Sequence, residues 1–166
     1  IARNLVVGDP LDPATQQGSL ISKTHWEKVR GHVDRAVAEG GKLLCGGTVP
    51  NLPERCKNGY FLSPTVIAGL DPKCRTNQEE IFGPVATLMP FRGEREALEI
   101  ANGVDYGLSA SLFTTNLGRA HRLAEALECG TVWVNCWLVR DLRVPFGGVK
   151  SSGVGREGGD HALRFF

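Results

Sequence analysis

The clearest hydrophobic rhythm in the first half of the chain lies between two breaks. Trp26, Val29, Val33 and Val37 recur at helical spacing and predict one apolar face. Thr24-x-x-Glu27 offers a capping box at its start, and Gly40-Gly41 a stop. At about 100° per residue, His25, Lys28, His32 and Arg35 fall together on another side. That basic stripe reads as a solvated face that is able to approach an anion.

Before this helix, residues 7–13 form a turn-rich connector. After it, residues 50–59, dense in Pro, Asn, Lys and Gly, predict a surface loop. Strand candidates follow at 60–66 and 86–91. A regular alternation then begins: a helix over 94–101, a strand over 108–114, a helix over 117–128 and a strand over 131–135. In the second of these helices Ala120, Leu123 and Leu127 share a face, Asn116 is the N-cap and Gly130 the stop. Strands alternating with helices predict parallel pairing with right-handed crossovers, hence an α/β class with a parallel sheet.

At 166 residues the chain is long enough for one domain with a real core, and 42% hydrophobic with 22% charged residues is ordinary for a folded protein. A net charge of +1 gives no reason to expect nucleic acid or an anionic membrane as partner. No apolar run approaches the roughly 18 residues of a membrane span. Both ends, Ile1-Ala2-Arg3-Asn4 and Arg164-Phe165-Phe166, read as cuts in a longer polypeptide. Cys45, Cys56, Cys74, Cys129 and Cys136 form no CxxC pair, which argues against a metal site and against a disulfide framework. They read as reduced thiols of a cytoplasmic protein.

Two glycine motifs fail on context. Gly153-Val154-Gly155-Arg156-Glu157-Gly158 matches a dinucleotide fingerprint, but too little chain follows to complete a βαβ unit. Gly147-Gly148-Val149-Lys150-Ser151 suggests a phosphate loop, yet Val149 stands where that loop needs a glycine. What remains is a glycine-dense segment, 145–159, whose backbone turns tightly or passes close to something.

Longer motifs are more specific. Gln78-Glu79-Glu80-Ile81-Phe82-Gly83-Pro84-Val85 resembles a segment of the aldehyde dehydrogenase superfamily. Val144-Pro145-Phe146-Gly147-Gly148-Val149-Lys150-Ser151-Ser152-Gly153-Val154-Gly155-Arg156-Glu157 resembles another. Tyr106-Gly107-Leu108-Ser109-Ala110 and Gly130-Thr131-Val132-Trp133-Val134-Asn135 fit between them in the family's order. The resemblance identifies residues 1–166 with the C-terminal part of that family's catalytic domain.

The resemblance implies NAD as cofactor, with NADP not distinguished, and a small-molecule aldehyde as substrate. It implies that Glu80 accepts the nicotinamide ribose hydroxyls, a task suited to an ionised carboxylate. Phe82 is similar to a residue packing beside the nicotinamide, and Lys28 to one near a ribose. His25 stands where many relatives carry Gln, and joins the cofactor candidates. The expected chemistry is attack by a Cys thiolate, hydride transfer to NAD and hydrolysis of the thioester. None of the five cysteines matches the nucleophile's motif, which in the family precedes the connector at 7–13. The resemblance also implies a homo-oligomer, dimer or tetramer.

Residues 136–144 correspond to a loop that in the family lines the substrate tunnel. Trp137-Leu138-Val139-Arg140-Asp141-Leu142 is similar to the enzymes for muconate-type semialdehydes, whose substrates carry carboxylates. Arg140 suits a carboxylate because its planar fork binds two oxygens; Phe146 is the apolar candidate beside it. The alternative for Arg140 is a pair with its neighbour Asp141 on a solvated loop. The alternative for the whole chain is a non-catalytic binding or assembly module of the same fold.

Overall fold

Lys23–Ala38 forms the first helix, α1. Its N-cap is Ser22, whose Oγ accepts from the His25 N–H at 3.2 Å, so the cap lies two residues before the expected capping box. Gly40, with φ +92°, follows the helix end. The buried residues are Val29, His32, Val33 and Ala36. Counted from Val29 these lie at i+3, i+4 and i+7, which defines a face centred differently from the expected one. Val37 is therefore 48% exposed, and His32, expected on a solvated stripe, is only 4% exposed. Val29 meets the turn at Gly83, where a Cβ would come within 2.7 Å of both valine methyls.

The computed structural model describes residues 1–165. It divides the chain into two compact units, Ile1–Pro90 and Phe91–Phe166. In the first, β1 (Lys42–Cys45) pairs antiparallel with β2 (Thr65–Ala68), and β2 pairs parallel with β3 (Val85–Leu88). Ala36, Ile67 and Leu70 form the core, with Cys74 and Val85 packed against it. A short helix, α2 (Arg75–Gln78), precedes the turn into β3.

The strand expected at 60–66 begins only at Thr65, for a local reason. Side chains and a loop amide serve the backbone there instead of a ladder: Leu20 N–H donates to Tyr60 O, Trp26 Nε1–H to Phe61 O and Gln17 Nε2 to Leu62 O. Phe61 and Leu62 are buried without being strand. The expected surface loop at 50–59 contains a 3-10 turn, Glu54–Cys56, with Cys56 buried.

In the second unit α3 (Glu94–Asn102) and α4 (Leu117–Ala126) form as expected, and Asn116 Oδ1 accepts from the Arg119 N–H at 2.8 Å. Leu127 caps α4 rather than belonging to it. The single strand expected at 108–114 is split. β4 (Tyr106–Gly107) pairs antiparallel with β7 (Val149–Lys150), while β5 (Ser109–Leu112) pairs parallel with β6 (Thr131–Val134) across α4. Helix α5 spans Gly159–Phe165. The α/β class holds, with the parallel pairs β2–β3 in the first unit and β5–β6 in the second, and the described strands form three small sheets.

Two close contacts fix the second unit. At Gly130 a Cβ would lie 1.6 Å from Gly147 O, so the start of β6 and the glycine-dense segment touch backbone to backbone. At the far end of β6, Asn135 takes φ +57° and clasps Thr114: its Oδ1 accepts from Thr114 N–H at 2.8 Å and its Nδ2 donates to Thr114 O at 2.9 Å.

Candidate functional site

In the first unit the candidates meet at the segment linking α2 to β3. Glu79 heads it. Arg35 of α1 donates from Nη1 to its Oε2 at 2.8 Å, and Arg75 of α2 donates from Nε to its Oε1. These bonds, that of Arg75 above all, hold the Glu79 carboxyl below the usual carboxylate range. His32 lies behind the pair, with its Nε2 4.0 Å from Glu79 Oε2. Burial and then the Arg35 charge lower the His32 pKa, which keeps the imidazole neutral.

Three residues on, Phe82 adopts φ +55°, a conformation that residues with a Cβ rarely take. His25 Nε2 lies 2.5 Å from Phe82 O, so this nitrogen carries the proton and donates it to the carbonyl. The two rings stand 5.8 Å apart. His25 Nδ1 is left as a buried acceptor with no hydrogen-bond partner in the described protein. Phe82 itself is 70% exposed. Glu80 is exposed and has no ion pair among the described residues; Lys28, one turn along α1 from His25, is exposed as well. His25 and Phe82 are thus in direct contact, and Glu80 sits in the same short segment. His25 is occupied by the Phe82 carbonyl, which leaves only Nδ1 for any other partner.

In the second unit the loop after β6 folds back on its strand. Trp133, 7% exposed, donates from Nε1 to Val139 O at 2.9 Å, and Leu138 takes φ +55° to make the turn. This carries Arg140 over Phe146, with the guanidinium carbon 4.2 Å from the ring centroid. Phe146 in turn stacks on Trp133 at 6.4 Å. Arg140 Nη2 donates to Glu157 Oε1 at 2.9 Å. Phe146 and Glu157 exchange two backbone hydrogen bonds of 2.8 Å, so the pair and the ring share one anchor. Asp141 pairs with Arg143 rather than with Arg140. A mostly apolar cleft of about 360 Å³ lies against Trp133, Val139, Arg140, Val144 and Phe146.

Sequence reasoning missed Glu79 and Glu157. Both lie inside recognised motifs, and the unbalanced cations Arg35, Arg75 and Arg140 were the available signal. It misplaced His32, since a hydropathy pattern counts histidine as polar.

The model of the Aldehyde dehydrogenase family matches residues 1–166. The chain belongs to the aldehyde dehydrogenase family. Among aldehyde dehydrogenases, it is 51% identical over 166 residues to the 2-aminomuconic semialdehyde dehydrogenase of Homo sapiens, covering 99% of this chain and 34% of that enzyme. It is 51% identical over 165 residues to the 5-carboxymethyl-2-hydroxymuconate semialdehyde dehydrogenase of Escherichia coli, covering 98% of this chain and 35% of the other. Among solved structures, betaine aldehyde dehydrogenase of Staphylococcus aureus in complex with NAD+ superposes with a TM-score of 0.94 at 39% identity, over 99% of this chain and 33% of that one. The chain spans about a third of the length of the curated relatives it matches.

Proposed function

We propose that this chain is the C-terminal part of the catalytic domain of an NAD-dependent aldehyde dehydrogenase that oxidises a carboxylated semialdehyde of the 2-aminomuconate type. The observation carrying the substrate class is Arg140. It is a guanidinium with a side chain only 29% exposed, stacked on Phe146 at the edge of an apolar cleft. The contact with the Phe146 ring restrains the guanidinium, and an apolar wall strengthens its attraction for a carboxylate. Glu157 accepts from one donor of that fork, which leaves the others for a carboxylate. Relatives named for muconate semialdehydes support the same reading.

On the cofactor side, Glu80 offers an exposed carboxylate, without an ion pair among the described residues, two positions before Phe82, whose ring is also exposed. A diol and an adjoining flat heterocycle suit these two groups, so the residues fit the nicotinamide ribose end of NAD. NAD held there by Glu80 and Phe82 would supply the hydride acceptor. In this reading Glu80 takes both ribose hydroxyls, and Lys28 stands by as a cation. The assembly is read as a cytoplasmic homo-oligomer.

The test is the ratio of kcat/KM for a carboxylated semialdehyde over a neutral aldehyde of similar length, in the complete enzyme. A hydrogen bond to a charged group is worth roughly 1.5–3 kcal/mol, so Arg140→Ala should lower that ratio by about 10- to 150-fold. Arg143→Ala, which removes a cation bonded to Asp141, is the control. An unchanged ratio in Arg140→Ala refutes the carboxylate assignment.

A further inference from the structure

We propose that Glu79 and His25 are positioning residues that together preset segment 80–82 for the nicotinamide ribose; this rests on the cofactor reading above. The segment cannot hold its own shape. Glu80 is exposed and unpaired, and Phe82 is 70% exposed in a left-handed conformation that its Cβ disfavours. Its flanks, by contrast, are tied to α1 at three successive points. Glu79 is held by Arg35, His25 holds the carbonyl of Phe82, and Val29 packs into the space that only a glycine leaves at position 83.

The clamp at Glu79 is double. Its two oxygens take donors from two helices: Arg75 of α2 holds the carboxylate against the helix that Glu79 caps, and Arg35 ties it across to α1. The anchor at the other end is set by the helix start. Ser22 Oγ caps the His25 N–H, which fixes the backbone from which the imidazole reaches Phe82. Between these anchors the Glu80 carboxylate has no partner among the described residues. A carboxylate carried by fixed backbone and free of internal partners is the arrangement that receives an external pair of hydroxyls with least reorganisation.

A purely structural clamp would predict the same contacts, so the test must separate the two roles. In the complete enzyme, Glu79→Gln should slow single-turnover hydride transfer by about 10- to 100-fold, because a misplaced reacting atom costs rate. The dissociation constant for NAD should change by less than about 3-fold, because only the nicotinamide end is misplaced. In the cofactor-free enzyme, amides of the peptide covering 80–85 should exchange several-fold faster. Combined with Glu80→Gln, Glu79→Gln should add no further slowing, since it acts through Glu80. His25→Ala should give the same pattern.

Additive slowing in the double variant, or unchanged exchange at 80–85, overturns the positioning role while leaving the cofactor reading standing. A normal rate in Glu80→Gln itself overturns that reading, and the positioning role with it. Should Glu79→Gln fail to fold, Arg75→Gln removes one of the two bonds from a side chain 64% exposed and should give a smaller change of the same kind.

Discussion

Replacing Gly130 by alanine puts one methyl group where the chain has no room for it. The new Cβ would lie 1.6 Å from Gly147 O, 2.7 Å from Gly147 C and 3.2 Å from Gly148 Cα. All three atoms are backbone, so no rotamer change relieves the clash. Reaching a tolerable separation of about 3 Å requires the two strands of backbone to part by roughly 1.4 Å. Gly130 cannot retreat freely, because its N–H donates to Gly107 O at 3.0 Å. The movement therefore falls on Gly147 and on its neighbour Phe146. Overpacking of this kind costs typically 1–3 kcal/mol, and we expect about 3 kcal/mol here because backbone must yield on both sides. Gly155→Ala is the control: nothing lies within 4 Å of a Cβ there, so it should be near neutral. Urea unfolding followed by tryptophan fluorescence measures both. In the complete enzyme, a shift of Phe146 near 1 Å should also cost about 100-fold in kcat/KM for the carboxylated aldehyde. A Gly130→Ala protein within about 1 kcal/mol of Gly155→Ala would refute the packing argument.

Four further outcomes are expected. His32 has a lowered pKa in the fold, so as pH falls the unfolded chain takes up its proton first, near pH 6.5. Stability should then decline below about pH 6.5 by up to ~1.4 kcal/mol per pH unit until the folded pKa is reached. His32→Leu should flatten that stretch of the stability profile, and an identical decline between pH 7.5 and 5.5 in both proteins would rule His32 out as its source. Glu79 acts in a separate window: its folded pKa is depressed, so its contribution is present at neutral pH and is lost only as pH falls below the ordinary carboxylate range. Ile67→Ala, at a fully buried position in the core of the first unit, should cost about 2–5 kcal/mol, while Leu11→Ala, 73% exposed, should stay within about 0.5 kcal/mol; comparable values would refute the core assignment. The 166-residue chain alone should show no NAD-dependent aldehyde oxidation by absorbance of the reduced cofactor, and turnover above a buffer blank would place the reacting thiol among its own five cysteines.

Helices α1, α3 and α4 were legible as elements because apolar spacing and the Asn116 cap are local signals, although packing re-centred the buried face of α1 on Val29, His32, Val33 and Ala36. β1 was not, since Lys42–Cys45 is four residues long and mostly exposed, with no alternation to read. The false strand start at residue 60 shows another limit. Phe61 and Leu62 are as apolar as strand residues, but distant side chains satisfy their carbonyls, and no local pattern encodes that. At the candidate sites, the residue types came from motif resemblance. The pairings came only from the fold: Arg140 with Glu157 spans 17 positions, and Arg35 with Glu79 spans 44. The alternative in which Arg140 pairs with Asp141 is not what the fold adopts: Asp141 is bonded to Arg143, two residues on, and Arg140 to Glu157.

The clasp of Asn135 on Thr114 bears on how this protein ages. Loss of ammonia from the Asn135 side chain would turn the Nδ2 donor into a carboxylate oxygen facing the Thr114 carbonyl, and an attraction would become a repulsion. Ordinary genetic drift finds no gentle exit from the position either. Glycine accepts the φ of +57° but brings no amide, while glutamine brings the amide on a longer stem that tolerates the conformation poorly. The end of β6 is therefore written in one residue type, and chemical decay of that single amide would be felt in the loop that carries Arg140.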